Sequence, residues 1–211
     1  MQKIITITKV LGPLATNCYT VANVDTREAV VIDPAGEAEK IIATLNEEKL
    51  KLTAILLTHG HFDHIYGLPR LKQEYPDVKV YIGRGDEAVI KSAGLNLSQM
   101  FGVPISAEAD VCVDDNDVLE MLGTGIKCLH VPGHTQGGMC YYLEDEKLLF
   151  SGDTLFHYSL GRSDFPTGDG QALVDNIEKK LLTLPEDVVV YPGHNDRTTI
   201  KREKIGNPYF T

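Results

Sequence analysis

What most restricts how this chain can fold is a pattern used four times: an apolar, strand-like run stops at a small-residue turn that carries a histidine or an aspartate. It occurs in "ILLTHGHFDH", "CLHVPGHT", "LLFSGDTLF" and "VVVYPGHN". Loops at the carboxyl ends of strands are where a rigid sheet can bring together side chains that are far apart in sequence. The pattern therefore calls for strands whose ends share one edge, with His59, His61, Asp63, His64, His134, Asp153 and His194 converging there.

The first of these stretches crowds His59, His61, Asp63 and His64 together at the end of an apolar run. As purely structural residues, four polar side chains packed at a strand end would each need a buried hydrogen-bond partner. Metal ligation is the more economical reading. A catalytic zinc takes three protein ligands plus water, so seven ligand-type side chains are enough for two ions that share a carboxylate. His130 and His157 lack the glycine-flanked strand-end setting. His130 reads as a sheet residue, and His157 as a substrate-binding candidate at the rim of the pocket.

Along the chain, "KIITITKV", "TNCYTVANV" and "EAVVIDP" read as an antiparallel meander, and "GEAEKIIATLNEEKL" as an amphipathic helix. "LTAILLTH" is nearly continuous in apolar residues, as expected of a strand covered on both faces. A helix near "LPRLKQEY", a strand "VKVYIG" and a helix near "GDEAVIKSA" come next. The segment from Gly94 to Ala109 reads as a long loop, in which Leu97, Met100 and Phe101 either wall a pocket or pack into the core. After residue 111 the strand pattern returns in "VCVDD", "DVLEML", "IKCLHVPGH", "GMCYYLED" and "KLLFSGD". The helix "QALVDNIEKKLLTL" and the strand "DVVVYPGH" complete it. The expectation is one domain over residues 1–211, an α/β sandwich of two mixed sheets flanked by helices.

Composition narrows the partners. The formal charge of -10 argues against nucleic acid and anionic membranes as binding partners, since phosphate contacts need clustered Lys and Arg. No apolar run approaches the roughly 20 residues that span a bilayer. Cys18, Cys112, Cys128 and Cys140 are scattered, with no CxxC pair, and read as reduced buried thiols. With an N-terminus unlike a secretory signal, a cytoplasmic protein is expected.

"THGHFDH", "PGHT", "GDTLF" and "PGH", in this order across residues 56–194, resemble the metallo-β-lactamase superfamily, and within it the glyoxalase II-like branch of thioester hydrolases. The resemblance implies an αβ/βα sandwich in four layers with a dinuclear site at one edge. His59, His61 and His134 would bind one metal and Asp63, His64 and His194 the other, with Asp153 bridging. The ions would be zinc, with iron or manganese as alternatives. Asp63 and Asp153 are the expected catalytic residues. A metal-bridging hydroxide would attack the carbonyl of a small-molecule thioester such as S-lactoylglutathione, and a thiolate would leave.

Arg162, in "GDTLFHYSLGRSDF", stands where that branch holds a glutathione carboxylate, whereas Asp164 and Asp196 stand where it tends to carry tyrosines. β-Lactamases of the commonest type would place a cysteine among the ligands, and no cysteine occupies a motif position. Two other readings remain open. The persulfide dioxygenases look similar around "GRSDF" and would bind one iron through His59, His134 and Asp153. A non-catalytic metal-binding protein would be expected to have lost at least one of the seven ligands.

Overall fold

The computed structural model describes residues 3–210. The meander forms as expected, with β1 (Ile4–Leu11), β2 (Thr16–Asn23) and β3 (Glu28–Ile32) paired antiparallel. After α1 (Ala38–Glu47), β4 (Lys51–Leu57) joins β3 in parallel. α2 (Phe62–Ile65) and α3 (Leu68–Glu74) lead to β5 (Lys79–Gly83). α4 (Glu87–Lys91) precedes β6 (Val111–Val113), and the first sheet reads β1-β2-β3-β4-β5-β6.

The second sheet contains β7 (Val118–Met121), β8 (Thr124–His130), β9 (Met139–Leu143) and β10 (Leu148–Gly152). A separate hairpin, β11 (Leu155–Phe156) with β12 (Ser159–Leu160), and helix α5 (Gly170–Asn176) come before β13 (Val189–Pro192). β14 (Thr198–Thr199) and α6 (Ile200–Gly206) end the chain, and the order is β14-β13-β10-β9-β8-β7. No helix among the described residues is long and apolar enough to cross a membrane.

Strand alternation builds the layers. In β4, Ala54 and Leu56 face the second sheet and pack with Val30, Ile32, Tyr141 and Phe150. Ile55 and Leu57 face the other way, against Ile41 and Leu45 of α1 and Leu68 and Leu71 of α3. Leu149 and Val190 of the second sheet likewise turn outward to Leu173, Ile177 and Ile200. The result is helices, sheet, sheet, helices, with three apolar interfaces. Truncating a side chain as enclosed as Leu56 would cost about 2–5 kcal/mol.

The topology also orients the strand ends. β8 and β10 both pair antiparallel with β9, and β10 pairs in parallel with β13, so β8, β10 and β13 all point the same way. Their carboxyl ends lie along one edge. The two sheets are tied together there, with Met139 N donating to Thr58 O at 2.8 Å and Tyr141 Oη to Leu57 O at 2.9 Å.

Two helices depart from the sequence expectation. The one near "GDEAVIKSA" starts as a 3₁₀ turn, Arg84–Asp86, and α4 stops at Lys91, because Ser92 is extended. The stretch "QALVDNIEKKLLTL" begins with Asp169 capping α5, and widens into a π-helical turn over Ile177–Leu181. Leu173, Ile177 and Leu181 still reach the same apolar interface.

Candidate metal centre

His59 comes two residues after β4, and His61 stands in extended backbone just before α2. The single turn of α2 then presents Asp63 and His64. His134, Asp153 and His194 come from the loops after β8, β10 and β13. All seven predicted ligands are brought together: His59, His61 and His134 form one cluster, Asp63, His64 and His194 another, and His59, His64 and Asp153 a third group that overlaps both.

In the first cluster His134 Nε2 is 3.0 Å from His61 Nδ1 and 3.3 Å from His59 Nε2. In the second, His64 Nε2 is 3.5 Å from Asp63 Oδ2 and 3.2 Å from Asp153 Oδ1. His194 Nε2 is 3.3 Å from Asp63 Oδ2 and 3.5 Å from Asp153 Oδ2. Asp153 Oδ2 also comes within 3.7 Å of His134 Nε2, which places this carboxylate between the clusters.

These spacings fit cations. Two ligand atoms about 2.1 Å from one tetrahedral ion stand roughly 3.4 Å apart. The tautomers agree as well: His134 Nδ1 donates to the Arg162 carbonyl at 2.6 Å, and His64 Nδ1 to Asp33 Oδ2 at 2.8 Å. Each ring thereby turns its Nε2, rather than its Nδ1, toward its cluster. His64 Nε2 and Asp153 Oδ1 are buried with no hydrogen-bond partner among the described residues, a costly arrangement unless an ion lies between them.

The electrostatics of the two clusters differ. Burial pushes the His59 imidazole well below its ordinary value, and burial beside His134 brings His61 down to about 3. Both are neutral ligands at pH 7. At His64 burial acts in the same direction, but the carboxylates of Asp153, Asp63 and Asp33 override it and hold a proton well above the ordinary histidine range. At His194 burial is overcome by hydrogen bonds to Asp153 and Asp63, which raise it to about 9. Burial opposes ionisation of Asp153, yet His64 and His194 keep it well below the usual carboxylate range.

Three supporting residues carry no motif in the sequence reading. Asp33 accepts from Thr58 N at 2.8 Å, Thr58 Oγ1 at 2.7 Å and His64 Nδ1, so it holds the β4 exit and aims the histidine. Asp86, fully buried, accepts from Gly60 N, Thr135 Oγ1 and Gly137 N, each at 2.8 Å, and ties the His59–His64 loop to the His134 loop. Thr16 Oγ1 donates to Asp63 Oδ2 at 2.9 Å. Asp33 could have been found, because "VVIDP" is another apolar run ending in a ligand-type side chain. Asp86 gave no signal, since its partners lie 26 to 51 residues away. Gly193 is required at its position: a Cβ there would stand 2.2 Å from Asp153 Oδ1 and 2.6 Å from His64 Cε1.

Residues 11–194 match the family model described as the metallo-beta-lactamase superfamily. The chain belongs to that superfamily. It is 36% identical over 200 residues to a Haemophilus influenzae protein named hydroxyacylglutathione hydrolase GloC, covering 92% of each chain. The crystal structure of BLEG-1 B3 metallo-beta-lactamase superposes with a TM-score of 0.93 at 38% identity, covering 98% of this chain and all of the other. TTHA1623, solved in a di-iron-bound form, gives a TM-score of 0.84 at 34% identity, covering 96% and 99%.

In this superfamily chain the metal centre floors a cavity of about 550 Å³, onto which His61, Asp63, His134, Asp153 and His194 open. Its walls are largely apolar. Leu14, Phe62, Leu97 and Phe101 come from the N-terminal half, and Phe156, Leu160 and Phe165 from the C-terminal half. Of the expected apolar wall, Leu97 and Phe101 are present, whereas Met100 turns to solvent.

Arg162 lines the cavity, but its guanidinium is engaged twice, by Asp164 through Nε and Nη2, each at 2.7 Å, and by the Phe165 ring at 3.9 Å. His157 is not among the cavity residues. The tight β11–β12 turn places it on the Tyr158 ring, 4.4 Å between centroids, while its neighbours Phe156 and Ser159 take the lining positions. His130 ends β8, and its Nε2 lies 2.9 Å from Gln136 O, away from the ligand clusters.

Proposed function

We propose that this protein is a dinuclear metal-dependent hydrolase of small acyl thioesters. The observation that carries the reading is the convergence of seven histidine and aspartate side chains, five of them opening onto one cavity, with no cysteine among them. The similarity to the protein named hydroxyacylglutathione hydrolase supports the thioester class.

Divalent cations held by these residues, zinc first and iron or manganese as alternatives, supply Lewis acidity that makes water nucleophilic near neutral pH and offsets oxyanion charge. The chain's own groups do the rest. His59, His61 and His134 give neutral imidazoles to the first position, and Asp63, His64 and His194 give a more anionic set to the second. Asp153, between the clusters, would hold both ions in register and orient a water by accepting a hydrogen bond from it. The apolar walls exclude bulk solvent from the acyl carbon. A thiol pKa of about 8.5 means the leaving sulfur departs as thiolate without a dedicated acid, consistent with the lack of a lysine or tyrosine among the described residues lining the cavity.

The test is hydrolysis of a panel of acyl thioesters by the metal-loaded protein and by the His59→Ala, Asp153→Ala double variant. Cleavage by the first and not the second is expected, and equal background rates end the proposal. Replacing His64 by Ala separates this reading from a mono-iron dioxygenase, which would keep its chemistry because His64 is not among its ligands. A second reading, hydrolysis of a β-lactam amide at the same centre, is favoured by 38% identity over nearly the full chain to BLEG-1 B3 metallo-beta-lactamase. The same two proteins assayed on a chromogenic cephalosporin test it.

A further inference from the structure

The cavity above the metal ligands is built for one kind of substrate. Its seven apolar wall residues come from four separate segments: the β1–β2 turn (Leu14), the ligand loop (Phe62), the 94–109 segment (Leu97, Phe101) and the region after Asp153. Phe62 and Phe101 pack ring on ring at 4.7 Å, and Phe165 meets the edge of His61 at 5.9 Å, so the aromatic surface begins right beside the metal ligands. Apart from the metal ligands and Arg162, only Ser159 and Asn195 among the described residues offer polar lining to a hydroxyl or carboxylate on the acyl group, whereas apolar carbons would gain by leaving water.

The charge of the cavity points the same way. Arg162 is the only lysine or arginine among the described residues lining it. Its Nε–Nη2 edge is on Asp164, and its face is on Phe165. A substrate carboxylate brought to Arg162 must displace Asp164 or sit beside it, and either costs the attraction that a free guanidinium would offer. The backbone of the same residue is fixed by His134, which donates to its carbonyl and so holds the segment carrying both Arg162 and Asp164 beside the cavity.

Resting on the thioester reading above, we infer that the preferred substrate carries an apolar alkyl or arylalkyl acyl group on a small uncharged thiol, and that Asp164 sets this preference by withholding Arg162 from carboxylates. Asp164 is a positioning residue here: it acts on substrate choice through Arg162.

The experiment uses the metal-loaded full chain and N-acetylcysteamine thioesters from acetyl to hexanoyl, with phenylacetyl, lactoyl and S-lactoylglutathione as comparators. Each methylene removed from water is worth up to about a fourfold rise in kcat/KM. A rising series through hexanoyl, with lactoyl below butanoyl, is expected. Phe101→Ala should flatten the slope and Phe101→Leu keep part of it; Phe101 is half exposed, so neither change threatens folding. Asp164→Asn should lower KM for S-lactoylglutathione by about two- to fivefold relative to the neutral thioesters.

In parallel, calorimetry with uncleavable S-ethyl and S-hexyl thioethers of the same thiol reads the pocket without turnover, and affinity should climb with chain length. A flat or falling series with active enzyme, or an Asp164→Asn ratio that does not move, overturns the inference while leaving the hydrolase reading intact. Climbing thioether affinity with no cleavage of any thioester overturns the hydrolase reading and keeps the apolar pocket. Flat affinity together with no cleavage overturns both.

Discussion

Replacing Asp33 by Asn alters one atom of a buried carboxylate, and the surrounding hydrogen bonds dictate the consequence for His64. Oδ1 accepts from Thr58 N, while Oδ2 accepts from both Thr58 Oγ1 and His64 Nδ1. An asparagine has one accepting oxygen. If the oxygen stays on Thr58 N, the amide NH₂ faces His64 Nδ1, which must then become an acceptor. The proton moves to His64 Nε2, aimed at Asp63 and Asp153, where a ligand lone pair is needed. If the amide flips, its NH₂ meets the Thr58 N–H, donor against donor.

Losing such an orienting carboxylate typically costs 10–100-fold in metal affinity, about 1.4–2.8 kcal/mol. Asp33 has φ 51, a left-handed conformation that Asn tolerates as well as Asp, so backbone strain does not confuse the result. The assay is competition for zinc with a chelator of known affinity, read as metal per chain at controlled free zinc. The first equivalent should bind as in the parent protein, and the second 10–100-fold more weakly. Two equivalents bound at parent affinity would refute both the tautomer argument and the assignment of His64 to a second metal.

Asp86→Ala leaves two amides and a hydroxyl without their acceptor in a fully buried place; a loss of about 3–5 kcal/mol in urea unfolding is expected, with a smaller loss for Asn. The metal-free protein should be most stable near pH 6.5. His59 and His61, held below their ordinary 6.5, draw protons only in the unfolded chain, so stability falls as pH drops below that value. His194, raised to about 9, contributes stability that is complete below its unfolded value of 6.5 and is lost progressively as pH climbs from there through 9. Urea midpoints measured from pH 4 to 10.5 in excess chelator check this, and a midpoint that rises between pH 6.5 and 9 would contradict it. Stripping the metals should lower the melting temperature: a ligand at 1,000 times its Kd stabilises by about 4 kcal/mol, or roughly 10 °C per site for a chain of this size.

The ligands were legible in the sequence because a strand end is a local event. An apolar run followed by Gly or Thr and a histidine declares both the strand and the side chain that leaves it, and all seven declared this way meet in the structure. The meander and the layer order were legible for the same reason, since strand alternation and unbroken apolar runs report how many faces are covered. His157 shows the limit. Its neighbours in "LFHYSL" form a tight hairpin whose alternation carries Phe156 to the cavity and His157 onto Tyr158, and composition alone does not reveal that register.

Sequence by itself determined which atoms can bind a cation, and how many, because donor chemistry belongs to residue type. Only the tertiary structure decided which nitrogen each histidine presents, since that depends on Asp33 and on the Arg162 carbonyl, neither of them beside its histidine in the chain. It also decided that Arg162 is already paired. Hydrogen-bond partners and the shape of a cavity are set by contacts between distant segments, which residue type alone does not report.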